Sequence, residues 1–411
     1  MSCFYIDKDC LNKVLCMNIS NNYMQYRSYS AQPKKQNVKF GAWSPKGTEH
    51  LKKIEELKNL ILNRDTQRIA VSGHVGPDGD CISSGFAMAN IINKLTNKKV
   101  DFFVFGKIPE RFNFLDTNKK INVISVDSPR FVDAEQLKQQ HGKYDLAIAV
   151  DTASETMFSE NYYNGIFRNA RATAKIDHHP VKETINPKTN KPVNCNYADI
   201  NIVDDSCNSA TQLVMQLVEP FGLRPEQLSQ TTNESLYTGL LTDTKNFAFA
   251  KNPQAFEDAY LLVKNGVNNV DMQHRIFGNV APEAHKVHSH IDKLLQFTPD
   301  GKIAYFIEDD ALWEMKKRAS KEGYRDDLQA QMSTALHNIT KLKGVEIVVH
   351  VNGSKFNIRS NNADISKLAV KYGGGGHKNA AGFQIEADPE DMPKIVKRIV
   401  NEYSTLLKEE G

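Results

Sequence analysis

Residues 68–80 read RIAVSGHVGPDGD, and this stretch is the most informative part of the chain for both fold and function. Its first half is a short apolar run typical of a buried strand. Directly behind that run come His74, Asp78 and Asp80, in a loop shaped by Pro77 and Gly79. In open sheets of parallel strands, ligands bind beyond the carboxyl ends of the strands. The stretch therefore predicts a strand whose end presents one imidazole and two carboxylates.

Further short apolar runs alternate with helix-like patterns along the chain. Strands are predicted at 68–73, 100–105, 123–126, 146–150 and 172–176, and helices at 49–62, 83–95, 203–218 and 228–241. Runs that are apolar on both faces are typical of parallel strands covered by helices. The alternation predicts an α/β fold with a doubly wound, mainly parallel sheet.

A second pattern of strands and helices begins near residue 300. Strands are predicted at 303–307, 345–351 and 356–359, the last two joined across Asn352-Gly353, and helices at 327–339 and 363–372. We predict a disordered tail over 1–47, a catalytic domain over 48–275, a helical connector over 276–299 and a smaller α+β domain over 300–411. A substrate cleft is expected between the two domains.

Other strand ends carry the same kinds of side chain. Asp151 closes the fourth predicted strand, the triplet Asp177-His178-His179 closes the fifth, and Asp243 follows a predicted helix. Taken singly, each aspartate is also typical of a helix cap or turn, and a single histidine of a hydrogen-bonded strand end. Independent caps rarely place so many metal-type ligands at consecutive strand ends. The joint pattern therefore favours a site for Mn²⁺, Mg²⁺, Co²⁺ or Zn²⁺.

Four of these stretches resemble, in order and spacing, the four motifs of the DHH phosphoesterase family. They are HVGPDGD at 74–80, AVDTAS at 149–154, DHHP at 177–180 and LLTDT at 240–244. The resemblance implies two metal ions, with Mn²⁺ expected and Mg²⁺ or Co²⁺ as alternatives. It implies one ion on His74, Asp78 and Asp151, and the other on Asp80, Asp151, His178 and Asp243. It also implies catalytic roles for His179, facing the substrate phosphate, and for Asp177, orienting an imidazole.

The glycine-rich stretch near the carboxyl end resembles a second domain of one branch of that family, the DHHA1 domain. Ile358-Arg359-Ser360 and the run GGGGHKNAAGF at 373–383 carry this resemblance. Taken alone, four glycines are also typical of a flexible turn, and they cannot lie inside a helix or strand without cost. The resemblance implies a substrate-holding loop, with contacts from Arg359, Ser360, Gly374, Gly375, Gly376 and His377.

The resemblance implies hydrolysis of short RNA oligonucleotides to mononucleotides, and of 3′-phosphoadenosine 5′-phosphate to AMP, by a hydroxide activated between two metal ions. The alternatives are a phosphodiesterase for linear or cyclic dinucleotides and a catalytically idle regulator that binds nucleotides. One departure concerns substrate preference. Many oligoribonuclease-like relatives have glycine and then Phe-Arg after the fourth motif, where this chain has Lys245-Asn246-Phe247-Ala248. Either the contact of that arginine to phosphate is missing here, or Lys245 or Lys251 replaces it.

Composition narrows the expected partners. The 411-residue chain has a net charge of only +3, which gives no strong overall field for long duplex DNA. Short single-stranded RNA or small nucleotides are the expected substrates. A homodimer is compatible with the sequence. No apolar run approaches the roughly 20 residues that span a bilayer. The six cysteines are scattered, a pattern typical of reduced thiols, so a cytoplasmic protein without a membrane partner is expected.

Overall fold

The structure is a computed structural model that describes residues 47–116, 119–126, 133–181, 185, 186 and 191–410. The tail predicted over residues 1–47 lies, except for Gly47, outside the described residues. Within the described ranges, no helix is both long enough and apolar enough to cross a membrane. The boundaries predicted for the four regions of the chain stay predictions.

The first half of the chain is built on a six-stranded sheet that is parallel throughout. Its strands are β1 Arg68–Ser72, β2 Lys99–Val104, β3 Asn122–Ser125, β4 Leu146–Val150, β5 Ala172–Asp177 and β8 Ile200–Val203. Between the last two, β6 Ile185–Asn186 and β7 Lys191–Pro192 form a separate ribbon. The order in the large sheet is β3-β2-β1-β4-β5-β8. This order grows outward in both directions from β1 and confirms the predicted doubly wound α/β fold.

Helices cover the sheet on both sides, as the apolar runs predict. The longer ones in this half are α1 Thr48–Leu62, α2 Gly79–Leu95, α3 Ala134–His141, α4 Ala210–Val218, α5 Gln230–Asp243 and α6 Gln254–Lys264. Alternate residues of β1 are buried on opposite faces. Ile69 and Val71 join the core that contains α1, α2 and α4, and Ala70 joins a second core with Phe103 and Tyr162. Burial on both faces explains why these strands are apolar throughout.

The helix predicted at 203–218 is wrong over residues 203–209. Ile200–Val203 is strand β8, and α4 begins only at Ala210 with Ser209 as its N-cap. In the turn between them, the Asp204 carboxylate accepts hydrogen bonds from the backbone N–H and the hydroxyl of Ser206. Such local side-chain bonds compete with helix formation and delay the start of the helix.

A mixed sheet forms the core of the second half. Its strands are β9 Gln296–Phe297, β10 Ile303–Ile307, β11 Ile347–Asn352, β12 Lys355–Ser360, β13 Gly375–His377 and β14 Ala380–Gln384, in the order β13-β14-β12-β11-β10-β9. Only β10 and β11 pair in parallel. The longer helices from residue 280 onward are α7 Val287–Leu294, α8 Asp310–Glu322, α9 Arg325–Thr340 and α10 Met392–Glu410. Shorter helices are Asn269–Gln273, Pro282–His285 and Ser366–Lys371. The predicted α+β architecture is confirmed.

The glycine run at 373–376 is only partly the loop that the sequence predicts. Gly375–His377 forms strand β13, which pairs antiparallel with β14 so that Gly375 lies opposite Gly382. The loop prediction is therefore wrong for Gly375 and Gly376. A β-carbon placed on Gly374 would lie 2.1 Å from the carbonyl oxygen of Gly382. The missing side chain of Gly374 therefore lets the chain pass close to β14 directly before β13 begins.

Candidate metal centre

Three neighbouring strands deliver imidazoles and carboxylates to one edge of the parallel sheet. β1 leads to His74, β4 to Asp151, and β5 to Asp177 and His178. The Nε2 atom of His74 lies 3.6 Å from Oδ2 of Asp151, and Nε2 of His178 lies 3.5 Å from Oδ1 of Asp151. Asp243, in the last turn of α5, places Oδ2 3.1 Å from His178 Nε2. Asp151 therefore lies between two imidazoles at the centre of the group.

The two aspartates of the first loop take different positions. Asp78 is the N-cap of α2 and accepts hydrogen bonds from the backbone N–H groups of Asp80 and Cys81, both at 3.1 Å. The same Oδ1 atom lies 3.9 Å from Nε2 of His74. Asp78 thus both caps the helix and faces the cluster, so the cap interpretation and the ligand interpretation are compatible.

Asp80, in the first turn of α2, is fully buried. Its side chain faces the N-terminus of the neighbouring helix α4. Its carboxylate accepts hydrogen bonds from the backbone N–H groups of Ala210, at 2.5 Å, and Thr211, at 3.1 Å. Helix N-termini stabilise negative charge, which explains how this carboxylate is tolerated without water. A ligand atom of Asp80 lies within 4.8 Å of ligand atoms of His178 and Asp243.

Close packing of α2 and α5 depends on glycine at two positions beside the cluster. A β-carbon on Gly239 would lie 2.3 Å from Oδ1 of Asp80, and one on Gly79 would lie 2.5 Å from the Thr242 side chain. Either distance is shorter than the van der Waals contact distance of the two atoms. These glycines therefore allow α5 to bring Asp243 to the ends of the strands.

The backbone of Asp151 is strained. Its φ is +50°, in the left-handed region that non-glycine residues rarely adopt. Strain of this kind costs about 1–3 kcal/mol and is concentrated at functional sites. The side chain is almost entirely buried, and its Oδ1 atom has no hydrogen-bond partner among the described residues. The Nδ1 atom of His178 is likewise buried and without such a partner there. The orphaned Oδ1 atom of Asp151, in a donor set of carboxylates and imidazoles, fits a bound divalent cation.

The electrostatics of the cluster agree with this interpretation. Burial lowers the pKa of His74, but the hydrogen bond to Asp151 outweighs burial and raises it to about 12. In the same way, Asp151 and Asp243 outweigh the burial of His178 and raise its pKa to about 11. The side chain of Asp78 is 59% exposed, and the nearby charges of Asp151 and Asp243 raise its pKa. Imidazolium and carboxylate charges thus balance one another, and a divalent cation would take the place of those protons.

His179 does not share the position of His178. Its Nδ1 atom lies 2.8 Å from Oδ1 of Asp177, and its side chain is 30% exposed, against 9% for His178. The other carboxylate oxygen of Asp177 forms an ion pair with Lys175, at 3.1 Å. Asp177 therefore orients the imidazole of His179, on the more open side of the cluster.

Lys175 is a buried residue that sequence reasoning missed. It lies in the middle of β5, and its Nζ atom donates hydrogen bonds to the carbonyl oxygens of Ala153, at 2.7 Å, and Cys195, at 3.1 Å. The signal in the sequence is a lysine inside the apolar run ATAKI. A buried lysine needs a partner, and here the partner is Asp177.

We expect Lys175→Met to destabilise the protein by about 3–5 kcal/mol, because it removes the buried cation 3.1 Å from Asp177 and leaves the carbonyl oxygens of Ala153 and Cys195 without their donor. Urea denaturation of the two proteins measures the difference. The matched control is Lys138→Met, which breaks an exposed ion pair with Glu135 and should cost less than about 1 kcal/mol. Equal stability of the two variants would contradict the assigned role of Lys175.

Family models match both halves of the chain. The model of the DHH family, N-terminal domain, matches residues 68–240, and the model of the DHHA1 domain matches residues 320–405. The chain therefore contains a DHH-family domain followed by a DHHA1 domain. The resemblance found in the sequence motifs is thereby confirmed.

Relatives of this DHH protein include two bacterial proteins of similar length. An uncharacterized protein of Mycoplasma genitalium is 28% identical over 332 residues, which cover 78% of this chain and 88% of that protein. The bifunctional oligoribonuclease and PAP phosphatase NrnA of Bacillus subtilis is 24% identical over 364 residues, covering 88% and 99%. Among solved structures, an exopolyphosphatase-related protein from Bacteroides fragilis aligns with a TM-score of 0.71 at 19% identity, covering 87% and 98%. That likeness supports the fold.

The structure places the predicted substrate residues of the DHHA1 domain in different environments. The Arg359 side chain is exposed on β12, and its Nη1 atom donates a hydrogen bond to the carbonyl oxygen of Ile358. Ser360 is buried, and its hydroxyl donates to the carbonyl oxygen of Ala363. Ser360 therefore shapes the turn after β12. The side chain of His377 lies outside the described part of the structure.

A positively charged group lies beside Asp243 in the DHH domain. Lys245, Asn246 and Phe247 all have φ between 44° and 65°, which makes a left-handed turn directly after α5. Burial lowers the pKa of Lys245, and the charges of Arg359 and Lys341 lower it further. The charges of Arg359 and Lys341 thus act on Lys245, although Lys245 and Arg359 are more than 100 residues apart in the sequence.

Aromatic contacts hold this turn near the second half of the chain. The Lys245 ammonium group lies 5.6 Å from the ring centre of Phe249, and that ring lies 4.9 Å from the ring of His337. Lys251, the other expected replacement for the missing arginine, instead donates to the carbonyl oxygen of Cys207 at 3.0 Å. Of the two lysines, Lys245 is the one near Asp243. Sequence reasoning missed Lys341 and His337, because single residues on a helix give no local signal.

Proposed function

We propose that this DHH protein is a metal-dependent enzyme that hydrolyses short RNA oligonucleotides to mononucleotides and 3′-phosphoadenosine 5′-phosphate to AMP. One observation carries the proposal. Three strand ends converge on the strained carboxylate of Asp151, with an imidazole 3.5–3.6 Å away on each side. The relative from Bacillus subtilis, named an oligoribonuclease and PAP phosphatase, aligns over 88% of the chain and supports this choice of substrates.

We propose two divalent metal ions as the cofactors, with Mn²⁺ as the expected ion. The first would be held by His74, Asp78 and Asp151, and the second by Asp80, Asp151, His178 and Asp243. When bound, such ions lower the pKa of a water molecule and offset the charge of the phosphate oxygens. The orphaned Oδ1 atom of Asp151 and its place between two imidazoles support its role as the shared ligand.

His179 is the proposed group that touches the substrate. Because Asp177 holds its Nδ1 atom at 2.8 Å, the opposite ring atom, Nε2, is the one available to a phosphate oxygen. Burial lowers the pKa of His179, but the hydrogen bond and charge of Asp177 outweigh burial and raise it. A protonated imidazole at this point would donate a proton or a charged hydrogen bond to the leaving oxygen. Asp177 and Lys175 position this ring from behind.

We propose that the cations near Asp243 bind the part of the substrate that lies outside the metal centre. Arg359 and Lys341 each repel Lys245, and a phosphate group bound beside Lys245 would relieve that repulsion. A local group of three cations is sufficient for one or two phosphates, and the net charge of +3 gives no general attraction for long strands. This arrangement favours short oligonucleotides and small nucleotides as substrates.

The proposal is tested by rates of hydrolysis across substrate length. The purified full chain with Mn²⁺ is incubated with labelled RNA of two, five and twenty nucleotides and with 3′-phosphoadenosine 5′-phosphate. We expect rapid release of mononucleotides from the two short RNAs, release of phosphate from the small nucleotide, and slow cleavage of the twenty-mer. If both short RNAs and the small nucleotide stay intact, the proposal is wrong. Cleavage of the dinucleotide alone would instead show a dinucleotide phosphodiesterase.

We expect Arg359→Ala to weaken substrate binding and to leave the metal centre intact. A hydrogen bond to a charged group contributes about 1.5–3 kcal/mol, so KM should rise roughly 10- to 150-fold. Steady-state kinetics measure KM and kcat, and calorimetry measures Mn²⁺ affinity. Arg318→Ala is the control, because that arginine pairs with Glu322 on the exposed face of α8. An unchanged KM in Arg359→Ala would exclude this residue from the substrate site.

A further inference from the structure

The first turn of α2 carries a buried thiol directly behind the metal centre. The sulfur of Cys81 accepts a hydrogen bond from the backbone N–H of His74, at 3.3 Å, and the residue is only 2% exposed. A β-carbon built on Gly73 would lie 2.1 Å from this sulfur. Glycine at position 73 is therefore what leaves room for the thiol at this place.

The neighbours of this sulfur are ligand atoms of the metal centre. Ligand atoms of His74, Cys81 and Asp151 all lie within 4.8 Å of one another. Asp151 is buried, and its Oδ1 atom finds no hydrogen-bond partner among the described residues. A buried cysteine is more often a small apolar residue packed against carbon. Here the side chains of His74 and Asp151 each place a ligand atom within 4.8 Å of the sulfur, and that combination of imidazole, carboxylate and thiol points to a metal ligand.

We propose that Cys81 is an additional ligand, through its sulfur, of the cation on the His74 side of the centre, and that it gives this position a preference for Co²⁺, Zn²⁺ and Cd²⁺. Thiolates select such ions, while carboxylates suit Mg²⁺ and Mn²⁺. As the bond from sulfur to metal forms, the thiol releases its proton to solvent, so charge and atoms balance. The inference rests on the proposed metal centre and adds a ligand and a selectivity to it.

The test uses the full chain loaded with Co²⁺ or Cd²⁺, without any substrate. Sulfur bound to Co²⁺ gives an intense charge-transfer band in the near ultraviolet, which nitrogen and oxygen ligands do not give. We expect this band in the wild-type protein and its loss in Cys81→Ser. The matched control is Cys207→Ser, because Cys207 is also buried but its sulfur accepts a hydrogen bond from Gln216 at 3.3 Å. That variant should keep the band.

Affinity gives a second readout. Cys81→Ser should weaken Cd²⁺ binding by about tenfold or more, and Mn²⁺ binding by less than about threefold. X-ray absorption of the wild-type protein loaded with Zn²⁺ makes the test independent of how the variant folds. A sulfur shell at about 2.3 Å is expected, beside nitrogen and oxygen ligands at about 2.0–2.2 Å.

The outcomes separate this inference from the proposed function. Tight binding of Co²⁺ without a sulfur band, or a Zn²⁺ shell of nitrogen and oxygen alone, would overturn the role of Cys81 and leave the metal centre standing. Failure to bind Co²⁺, Zn²⁺ or Mn²⁺ at all would overturn both. A band that persists in Cys81→Ser would show that the sulfur comes from another residue, and the inference would be wrong.

Discussion

Asp151→Asn is expected to lower kcat by about 10³-fold or more, a loss of about 4 kcal/mol of transition-state stabilisation. Asp151 lies between His74 and His178, at 3.6 and 3.5 Å from their Nε2 atoms, and it is the carboxylate that both proposed ions would share. Removing its charge should therefore weaken both metal positions together. Calorimetric titration with Mn²⁺ and steady-state hydrolysis of a short RNA measure the two effects.

Asparagine is the substitution that isolates the charge. Asp151 has a φ of +50°, and asparagine adopts the left-handed region more readily than most residues, so the backbone should be kept. The matched control is Asp145→Asn, at the opposite end of the same strand, where the carboxylate accepts hydrogen bonds from the backbone N–H groups of Gln67 and Arg68. That control should keep full activity and Mn²⁺ affinity. Wild-type activity in Asp151→Asn would refute the assignment of the site.

His179→Gln is expected to separate chemistry from metal binding. Loss of a group that donates a proton in the transition state slows catalysis by about 10²–10⁴-fold. The imidazole of His179 is held by Asp177 and is more exposed than that of His178, so the metal ligands should stay in place. We therefore expect a low kcat together with unchanged Mn²⁺ affinity.

A neighbouring substitution provides the contrast. His178→Gln removes an imidazole that contacts both Asp151 and Asp243, so it should lose Mn²⁺ affinity as well as activity. Calorimetry and single-turnover kinetics on both variants distinguish the two histidines. If His179→Gln binds Mn²⁺ as weakly as His178→Gln does, His179 is a metal ligand and its proposed catalytic role is wrong.

Much of the parallel sheet could be predicted from local sequence. The strand predicted at 146–150 coincides with Leu146–Val150, and the other four predicted strands of that sheet each lie within one residue of their observed bounds. Burial on both faces makes these strands continuous apolar runs, which is a strong signal. The grouping of His74, Asp151 and His178 followed from the same signal, because parallel strands end at the same edge of a sheet.

The misses have a common physical cause. The sequence predicts a helix from Val203 onward, so residues 200–202 of strand β8 are missed and Val203 is assigned to the helix, although the Asp204 turn separates the two elements. The sequence predicts a loop at strand β13, because glycine disfavours strands. Pairing with β5 and with β14, respectively, decides the two elements.

The residues that support the centre are also missed by the motifs. Lys175 stabilises Asp177 from within a strand, where its only signal is a lysine in an apolar run, and Cys81 reaches His74 only because Gly73 lacks a side chain. The charge of Lys341 acts on Lys245 from a separate part of the chain. Sequence motifs identify functional residues that recur at a characteristic spacing along the chain. Residues that act through packing need the folded structure to be recognised.

Anomalous diffraction from crystals of the full chain grown with Mn²⁺ tests the central claim most directly. The account predicts two manganese peaks on either side of the Asp151 carboxylate. One should be bounded by His74 and Asp78, and the other by Asp80, His178 and Asp243. Manganese peaks only at other residues, or no peak at the carboxyl ends of these strands, would contradict the account.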